Sequence, residues 1–280
     1  MLSYQHAYHA GNFADVHKHL TLFAVIDYLL RKDSPITYMD THAGRGLYPL
    51  AAVETARLGE YREGIARLWQ VRARLRDDPL LGDWLAAVGR VQARDGRLDH
   101  YPGSPWWLSQ RLRTQDRVML FELHPGEHSH LAEQALPGRV ERVHGDGLTG
   151  LVKRLPVPTP RLCVLLDPSY ERKAEYGEVV ETLLAAMHKA RHAVMLVWYP
   201  LLPAGHHRTL LEGLRDGGLR KIWRSELTRH APGTRGMHGS GMLVVNPPWG
   251  LDARLATAMA RLTPLLGDAC RYHSDWWVGE

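Results

Sequence analysis

The sequence predicts an α/β fold, with a mostly parallel sheet of seven strands and a helical segment inserted after the first strand. Short apolar runs recur along the chain and end at turn residues, which is typical of buried parallel strands. Segments with helical spacing of apolar residues alternate with most of these runs. Between the first and second runs, however, about fifty residues follow a helical pattern throughout, where one helix normally makes the connection.

These patterns place the individual elements and divide the chain. The predicted strands are 36–39, 117–121, 140–143, 163–166, 193–198, 221–227 and 241–245, and the predicted helices outside the insertion include 15–31, 176–190, 206–215 and 251–266. A polar, glycine-rich loop is expected at 228–240. We therefore expect an N-terminal segment, helix and first strand at 1–48, a helical subdomain at 49–100, and the rest of the main domain at 101–280.

Composition narrows the class of protein. The chain has 280 residues, 45% of them apolar, which is enough for one large domain with an insertion. A net charge of +5 suits a polyanionic partner such as RNA. Of the two cysteines, Cys163 lies in a predicted strand, so we expect reduced thiols and a cytoplasmic protein. No apolar run approaches the ~18 residues of a membrane span, and no signal peptide is recognised.

The fourth strand ends at the most informative turn, Asp167-Pro168-Ser169-Tyr170. Ligands of open α/β sheets bind just beyond the carboxyl ends of the strands. Pro168 keeps Asp167 extended, so the carboxylate and the following carbonyl groups can face one pocket. Tyr170 offers a flat aromatic face beside them. Such a turn suits a planar base that carries an exocyclic amine; the alternative is an ordinary Asp-Pro turn after a strand.

Three other strand ends carry residues that suit a nucleoside cofactor. The first strand is followed by Asp40 and by glycines 44 and 46, which let the backbone approach a ligand closely. Glu122 ends the second strand, where an acid can accept hydrogen bonds from ribose hydroxyls. Asp146 follows the third strand and can accept from an adenine amine. The spacing departs from the G-x-G-x-x-G of dinucleotide sites, which disfavours NAD.

The Asp167 tetrapeptide resembles the (D/N)PP(Y/F/W) motif of amino-directed, S-adenosylmethionine-dependent methyltransferases, with Ser169 where those enzymes usually have proline. A longer ordered set of motifs extends the resemblance over the whole chain: MLSYQHAYHAGNFADVHKH, YMDTHAGRGLY, GEYREGIARLW, YPGSP, ELHP, DG, LLDPSY, WYP and RGMHGSGMLVVNPPW. In this order they resemble the RlmJ family of bacterial 23S ribosomal RNA adenine-N6 methyltransferases.

The resemblance implies a Rossmann-like class I methyltransferase fold, S-adenosyl-L-methionine as cofactor and 23S ribosomal RNA as substrate and partner. It implies Asp167 as the catalytic residue and Tyr4, in the N-terminal segment, as a substrate contact; Pro168 and Tyr170 would contact the base. The implied cofactor site consists of His19, His42, Ser104, Glu122, Asp146, Gly147 and Asp167. We expect no metal, because the histidines form no compact cluster with a carboxylate, and we expect a monomer.

A second tetrapeptide, Asn246-Pro247-Pro248-Trp249, also fits the amino-methyltransferase motif. We prefer Asp167, because Asn246 follows the last strand, which runs antiparallel in folds of this kind and would point its end away from the crevice.

The sequence leaves two other functions open. The chain could methylate another amine, such as adenine in DNA or a glutamine amide in protein, since related motifs serve these reactions. It could also be a non-catalytic RNA-binding module that kept a methyltransferase-like fold, but the acids and glycines of the cofactor loops disfavour this. The nine arginines of the insertion form either a solvated basic face or a surface that contacts phosphate.

Overall fold

The computed structural model describes residues 4–230 and 236–280. Residues 1–3 of the N-terminal segment and 231–235 of the predicted loop at 228–240 lie outside this range. The described residues form ten strands: β1 Ile36–Asp40, β2 Leu47–Pro49, β3 His100–Pro102, β4 Arg117–Glu122, β5 Val140–His144, β6 Arg161–Leu166, β7 Val194–Leu201, β8 Ile222–Thr228, β9 Gly239–Val245 and β10 Arg271–Val278. Eight of them form one sheet in the order β10-β8-β9-β7-β6-β1-β4-β5, while β2 and β3 form a separate ribbon.

The main sheet is mostly parallel. Strands β5, β4, β1, β6 and β7 run in one direction, and β9 pairs antiparallel with both β7 and β8, so β8 shares the direction of the first five. All seven predicted strands are present, and the predicted antiparallel direction of the last of them, β9, is confirmed.

The predicted number of seven strands is wrong, because the main sheet has eight. The additional strand is β10, near the C-terminus, which pairs antiparallel with β8 at the edge of the sheet. Its residues alternate in exposure, and Arg271, His273 and Asp275 break up its apolar residues. An edge strand that is half solvated therefore lacks the continuous apolar run by which the interior strands were identified.

Helices cover both faces of the sheet. Their bounds are α1 Phe13–Leu29, α2 Val53–Leu58, α3 Ile65–Gln70, α4 Pro79–Gly89, α5 Ser104–Ser109, α6 Pro125–Glu133, α7 Gly147–Arg154, α8 Glu175–Lys189, α9 His207–Asp216 and α10 Leu251–Leu266. Helices α7, α8 and α9 bury their apolar residues in one hydrophobic cluster, and α1, α5 and α10 bury theirs in another. In the described parts of the chain, no helix is long and apolar enough to cross a membrane.

The segment between β1 and β4 contributes no strand to the main sheet. The β2–β3 ribbon, in which Leu47 pairs with Pro102, brackets α2, α3 and α4. Trp84 of α4 is fully buried and stacks on Trp107 of α5 with 6.0 Å between ring centroids. Because the buried residues of α3 and α4 belong to the same cluster as α1 and α10, the insertion shares the core of the main domain.

Candidate active site

A cavity of about 1300 Å³ opens at the carboxyl edge of the parallel strands. The N-terminal part of α1, the loops after β1, β4, β5 and β6, and the end of β7 contribute its walls. All of the predicted site residues except Tyr170 line this cavity: Tyr4, His19, His42, Ser104, Glu122, Asp146, Gly147, Asp167 and Pro168.

Asp167 follows directly on β6 and forms a buried ion pair with Lys18. The Lys18 ammonium donates to Asp167 Oδ2 at 2.6 Å and lies 2.9 Å from Oδ1 of Asp15. Burial raises the pKa of Asp167 above its ordinary value, although the Lys18 charge opposes this. Burial alone would lower the pKa of Lys18, but the two carboxylates outweigh it and keep the ammonium charged. One cation thus compensates two carboxylates at the bottom of the site.

The start of α1 explains how Lys18 reaches this position. The Asn12 side chain caps the helix by accepting from the Asp15 amide at 2.9 Å. Asp15 and Lys18 are one turn apart and therefore share a face of the helix, which is turned inward. The Asp15 carboxylate also accepts from the Gly11 amide at 2.8 Å and lies 2.9 Å from His6 Nε2. Burial raises the pKa of Asp15, but His6 and Lys18 outweigh it and hold that pKa well below its usual range.

Tyr4 joins this network from the N-terminal segment. Its hydroxyl lies 3.0 Å from His6 Nδ1, and its ring stacks on that of His9 with 5.8 Å between centroids. One continuous polar chain runs from the N-terminal segment to the tip of β6 and consists of Tyr4, His6, Asp15, Lys18 and Asp167.

The loop after β1 is fixed by the acid that ends β4. Glu122 accepts from the amide of Gly44 at 2.8 Å and from that of His124 at 2.7 Å. Gly44 has φ of 60°, and a Cβ there would lie 2.3 Å from the Tyr48 hydroxyl, so only glycine fits this turn. Burial raises the pKa of Glu122. A carboxylate has about four acceptor positions, so further donors can still bind it.

Asp40, at the end of β1, is fully buried beneath the cavity. Its Oδ1 accepts from the His42 amide at 3.1 Å, and this bond and the neighbouring Ser104 side chain favour the ionised form. Burial raises the pKa of Asp40 to about 7. At the start of α7, a Cβ on Gly147 would lie 1.9 Å from the Thr41 carbonyl oxygen. The loop after β1 and the start of α7 therefore pack backbone against backbone.

Two histidines of the predicted cofactor site are held in their uncharged forms. Burial lowers the pKa of His42 to about 4, and His42 Nδ1 lies 2.7 Å from the Thr41 hydroxyl. Burial also holds the pKa of His19 well below its ordinary value. His19 Nδ1 lies 2.8 Å from the Tyr101 hydroxyl, while the buried Nε2 atom lacks a hydrogen-bond partner within the described chain.

Tyr170 is the predicted site residue that the structure does not bring to the cavity wall. Its backbone has φ of 53°, which turns the ring into the hydrophobic cluster of α7, α8 and α9. There the ring stacks on Tyr176 at 4.3 Å, and the hydroxyl donates to the Trp198 carbonyl oxygen at 2.9 Å.

The rival tetrapeptide lies at the opposite edge of the sheet. Because β9 runs antiparallel, Asn246 follows it at the edge where the parallel strands begin. Its amide donates to the carbonyl oxygens of Arg191 and Ala193, both at 2.9 Å, which is a structural role at a strand end. Trp249 of the same turn is 87% exposed.

Sequence reasoning missed Lys18, His6, Asp15 and Trp198 as members of this site. The sequence analysis gave a site role only to His19 in this part of α1, yet His17, Lys18 and His19 are all buried. The available signal was the Asp15–Lys18 spacing followed by apolar residues on every side of α1, which indicates a helix that is buried all round.

The sheet order and the acidic strand ends around a glycine loop are those expected of an α/β methyltransferase. Residues 33–278 match the protein family described as "Ribosomal RNA large subunit methyltransferase D, RlmJ". The chain therefore belongs to the RlmJ family.

Relatives support this membership over the full length. The chain is 37% identical over 286 aligned positions to ribosomal RNA large subunit methyltransferase J of Escherichia coli K12, covering 100% of both chains. It is 36% identical to the protein of the same name from Haemophilus influenzae, covering 95% of this chain and 94% of that one. A crystal structure from Legionella pneumophila is similar with a TM-score of 0.89 and 34% identity, covering 96% of this chain and 98% of that chain.

Proposed function

We propose that this protein transfers the methyl group of S-adenosyl-L-methionine to the N6 amine of an adenine in 23S ribosomal RNA. The position of Asp167 carries the proposal: its carboxylate lies at the tip of β6, on the wall of a cavity shared with the glycine loop and the acid of β4. The full-length relatives are named as methyltransferases of large-subunit ribosomal RNA, which supports RNA as the acceptor.

The residues around the loop after β1 fit the cofactor. Glu122 would accept from the ribose hydroxyls, and Asp146, with the backbone of Gly147, would bind the adenine ring. The unpartnered Nε2 of His19 and the hydroxyl of Ser104 would bind the amino-acid end, and His42 would pack beside the nucleoside. When bound, S-adenosylmethionine supplies an electrophilic methyl group.

Asp167 and the Pro168 carbonyl oxygen would activate the acceptor amine. The lone pair of an adenine amine is delocalised into the ring, so the nitrogen is a poor nucleophile. Two acceptors for its N–H groups favour a pyramidal nitrogen and free the lone pair for attack on the methyl carbon. Lys18 donates to Oδ2 of Asp167, so we propose that Oδ1 accepts the hydrogen bond from the substrate amine. As the S–CH3 bond broke and S-adenosylhomocysteine left, the methylated nitrogen would become acidic, and Asp167 would accept its proton.

Positioning and electrostatics supply most of the rate in this scheme. The base must leave its stack in the RNA, at a cost of a few kcal/mol. Tyr4 would contact the substrate, because its ring lies at the cavity wall and its hydroxyl reaches the Asp15 network through His6.

The proposal extends to the organisation of the chain. We assign residues 1–48 and 101–280 to the methyltransferase domain and residues 49–100 to an inserted helical subdomain. We expect a cytoplasmic monomer that needs no metal. The described residues contain no group of three or more metal-ligating side chains that could hold an ion.

Acceptor specificity tests the proposed function. Purified protein would be incubated with S-adenosylmethionine and unmodified 23S RNA, adenine-containing DNA or a glutamine peptide, and the products mapped by mass spectrometry. We expect N6-methyladenine at one position of the RNA. Preferential methylation of DNA or peptide would contradict the proposal, as would no transfer to any acceptor. Asn246→Gly, in the rival tetrapeptide, should retain RNA methylation.

A further inference from the structure

Trp198 occupies the position next to Asp167 in the sheet. Strands β6 and β7 are parallel neighbours, with Leu166 paired to Val197, so Asp167 and Trp198 are the next residues on their respective strands. Adjacent strands lie about 4.8 Å apart. The indole of Trp198 is partly exposed and lines the same cavity as the Asp167 carboxylate.

A buried hydrogen-bond chain fixes the plane of this indole. Trp198 Nε1 donates to Ser240 Oγ at 2.9 Å, and Ser240 Oγ lies 3.0 Å from His17 Nδ1. His17 Nε2 lies 2.9 Å from Ser225 Oγ. Burial lowers the pKa of His17 to about 3, so the imidazole is neutral and has one N–H, which goes to Ser225 when Ser240 donates to Nδ1. Residues from α1, β8 and β9 thus hold one aromatic side chain of the cavity wall.

The backbone and the ring of Trp198 have two further contacts that tie them to the reacting centre. The Tyr170 hydroxyl donates to the Trp198 carbonyl oxygen at 2.9 Å. The Lys18 ammonium, which holds Asp167, lies 5.8 Å from the indole centroid. The carboxylate and the indole therefore share Lys18 as a neighbour, while the Tyr170 ring is packed in the core behind them.

We propose that Trp198 forms the stacking wall of the target-base subsite, with a purine lying on the indole and its exocyclic amine directed at Asp167. This inference rests on the proposed function. The fused rings of a purine overlap an indole more fully than a single pyrimidine ring does. The subsite therefore selects adenine over cytosine, whose N4 amine corresponds in position to the N6 amine of adenine. Tyr170 is a positioning residue that supports the β7 end of this wall.

Kinetics of three variants test the subsite. Stacking of a base on an aromatic side chain is worth ~1–3 kcal/mol, so Trp198→Leu should lower kcat/KM for RNA by about 5- to 150-fold. Trp198→Phe keeps an aromatic face and should stay within about 5-fold of wild type. Trp249→Leu is the matched control at the exposed tryptophan and should have no effect. Calorimetry with S-adenosylhomocysteine should give unchanged affinity for all three, which also shows that they are folded.

Fluorescence separates stacking from a purely structural role. In an RNA fragment with 2-aminopurine at the methylated position, the fluorescence of the 2-aminopurine is quenched when the extruded base stacks on the indole. Bound to Trp198→Leu, the same RNA should be brighter than when bound to wild type, and Trp249→Leu should match wild type. Trp198→Met replaces the Leu variant if the latter does not bind S-adenosylhomocysteine.

Equal brightness and equal kcat/KM for wild type and Trp198→Leu would overturn the subsite while leaving the methyltransferase activity intact. Absence of RNA methylation by the wild-type protein would instead overturn the proposed function itself.

Discussion

The Nζ atom of Lys18 lies 2.6 Å from Oδ2 of Asp167, where the start of α1 meets the end of β6. Both side chains are largely buried, and the same ammonium lies 2.9 Å from Asp15. The carboxylate proposed to accept the substrate amine is thus oriented and charge-compensated by the protein itself. Removing one member of a buried pair typically costs 3–5 kcal/mol, because the other charge is left uncompensated.

Replacing Lys18 should change the pH dependence of methylation. Lys18 lowers the pKa of Asp167 against the effect of burial, so Lys18→Met should raise that pKa further. Methylation needs the ionised carboxylate, and the acidic limb of the kcat/KM profile should move to higher pH. Lys32→Met, at an exposed lysine, serves as the control. Superimposable profiles for wild type and Lys18→Met would show that Lys18 does not tune Asp167.

The same variant should be less stable, most of all at neutral pH. Burial already raises the pKa of the Asp167 carboxyl above that of the unfolded chain, and loss of the cation raises it further. Between the two pKa values the folded state of the variant binds more protons than the unfolded state. The contribution of this carboxyl to stability is therefore fully present below its unfolded pKa and is lost as pH rises through its folded pKa. Urea unfolding should show a deficit of about 3–5 kcal/mol at pH 8 that shrinks at pH 5. A constant deficit would contradict this.

Asp40→Asn should flatten the pH dependence of stability of the cofactor-free protein. Burial raises the pKa of Asp40 from 3.8 to about 7. Between these values the folded state binds more protons than the unfolded state, so this carboxyl makes the protein less stable as pH rises. Asparagine can still accept from the His42 amide but has no charge to bury. Unfolding experiments from pH 4 to pH 8 should show the variant gaining a few kcal/mol on wild type; parallel curves would refute the assignment.

Gly147→Ala should weaken cofactor binding. A Cβ at Gly147 would lie 1.9 Å from the Thr41 carbonyl oxygen, so the start of α7 must move away from the loop after β1. We expect the affinity for S-adenosylhomocysteine to fall by about 10-fold or more, or roughly 1.4 kcal/mol, by calorimetry. Gly177→Ala on α8 is the matched control, since its Cβ meets nothing within 4 Å, and it should add about 0.5–1 kcal/mol of stability. Unchanged binding by Gly147→Ala would mean that this contact does not shape the site.

Glu127→Gln should destabilise the fold more than Glu141→Gln does. Glu127 accepts two hydrogen bonds from the buried Arg45 guanidinium, at 2.6 and 2.9 Å. Loss of this charge should lower the free energy of unfolding by about 3–5 kcal/mol. The Glu141–Arg154 pair is also 2.6 Å long, but both side chains are about half exposed, at 47% and 44%, so its loss should cost at most about 1 kcal/mol. Equal losses in thermal unfolding would contradict the role given to burial.

Much of the fold could be predicted because its interior strands are continuous apolar runs, and parallel strands bring their carboxyl ends to one edge. That rule alone placed Glu122, Asp146 and Asp167 at one edge of the sheet, where they line a single cavity. The apolar residues on every side of α1 indicate that the helix is buried, but the partner of Lys18 could not be predicted, because it is a carboxylate 149 positions away. The direction of the Tyr170 ring depends on a positive φ that tyrosine rarely adopts, and no local pattern indicates it. The eighth strand, β10, was missed because its residues alternate in exposure and do not form a continuous apolar run.

The most direct test of the central claim is single-turnover methyl transfer by Asp167→Ala to unmodified 23S RNA, combined with calorimetry of S-adenosylhomocysteine. We predict that cofactor affinity stays within about 10-fold of wild type while formation of N6-methyladenine falls by about 100-fold or more, because the amine loses its acceptor. Methylation by Asp167→Ala at the wild-type rate would contradict the role of this carboxylate.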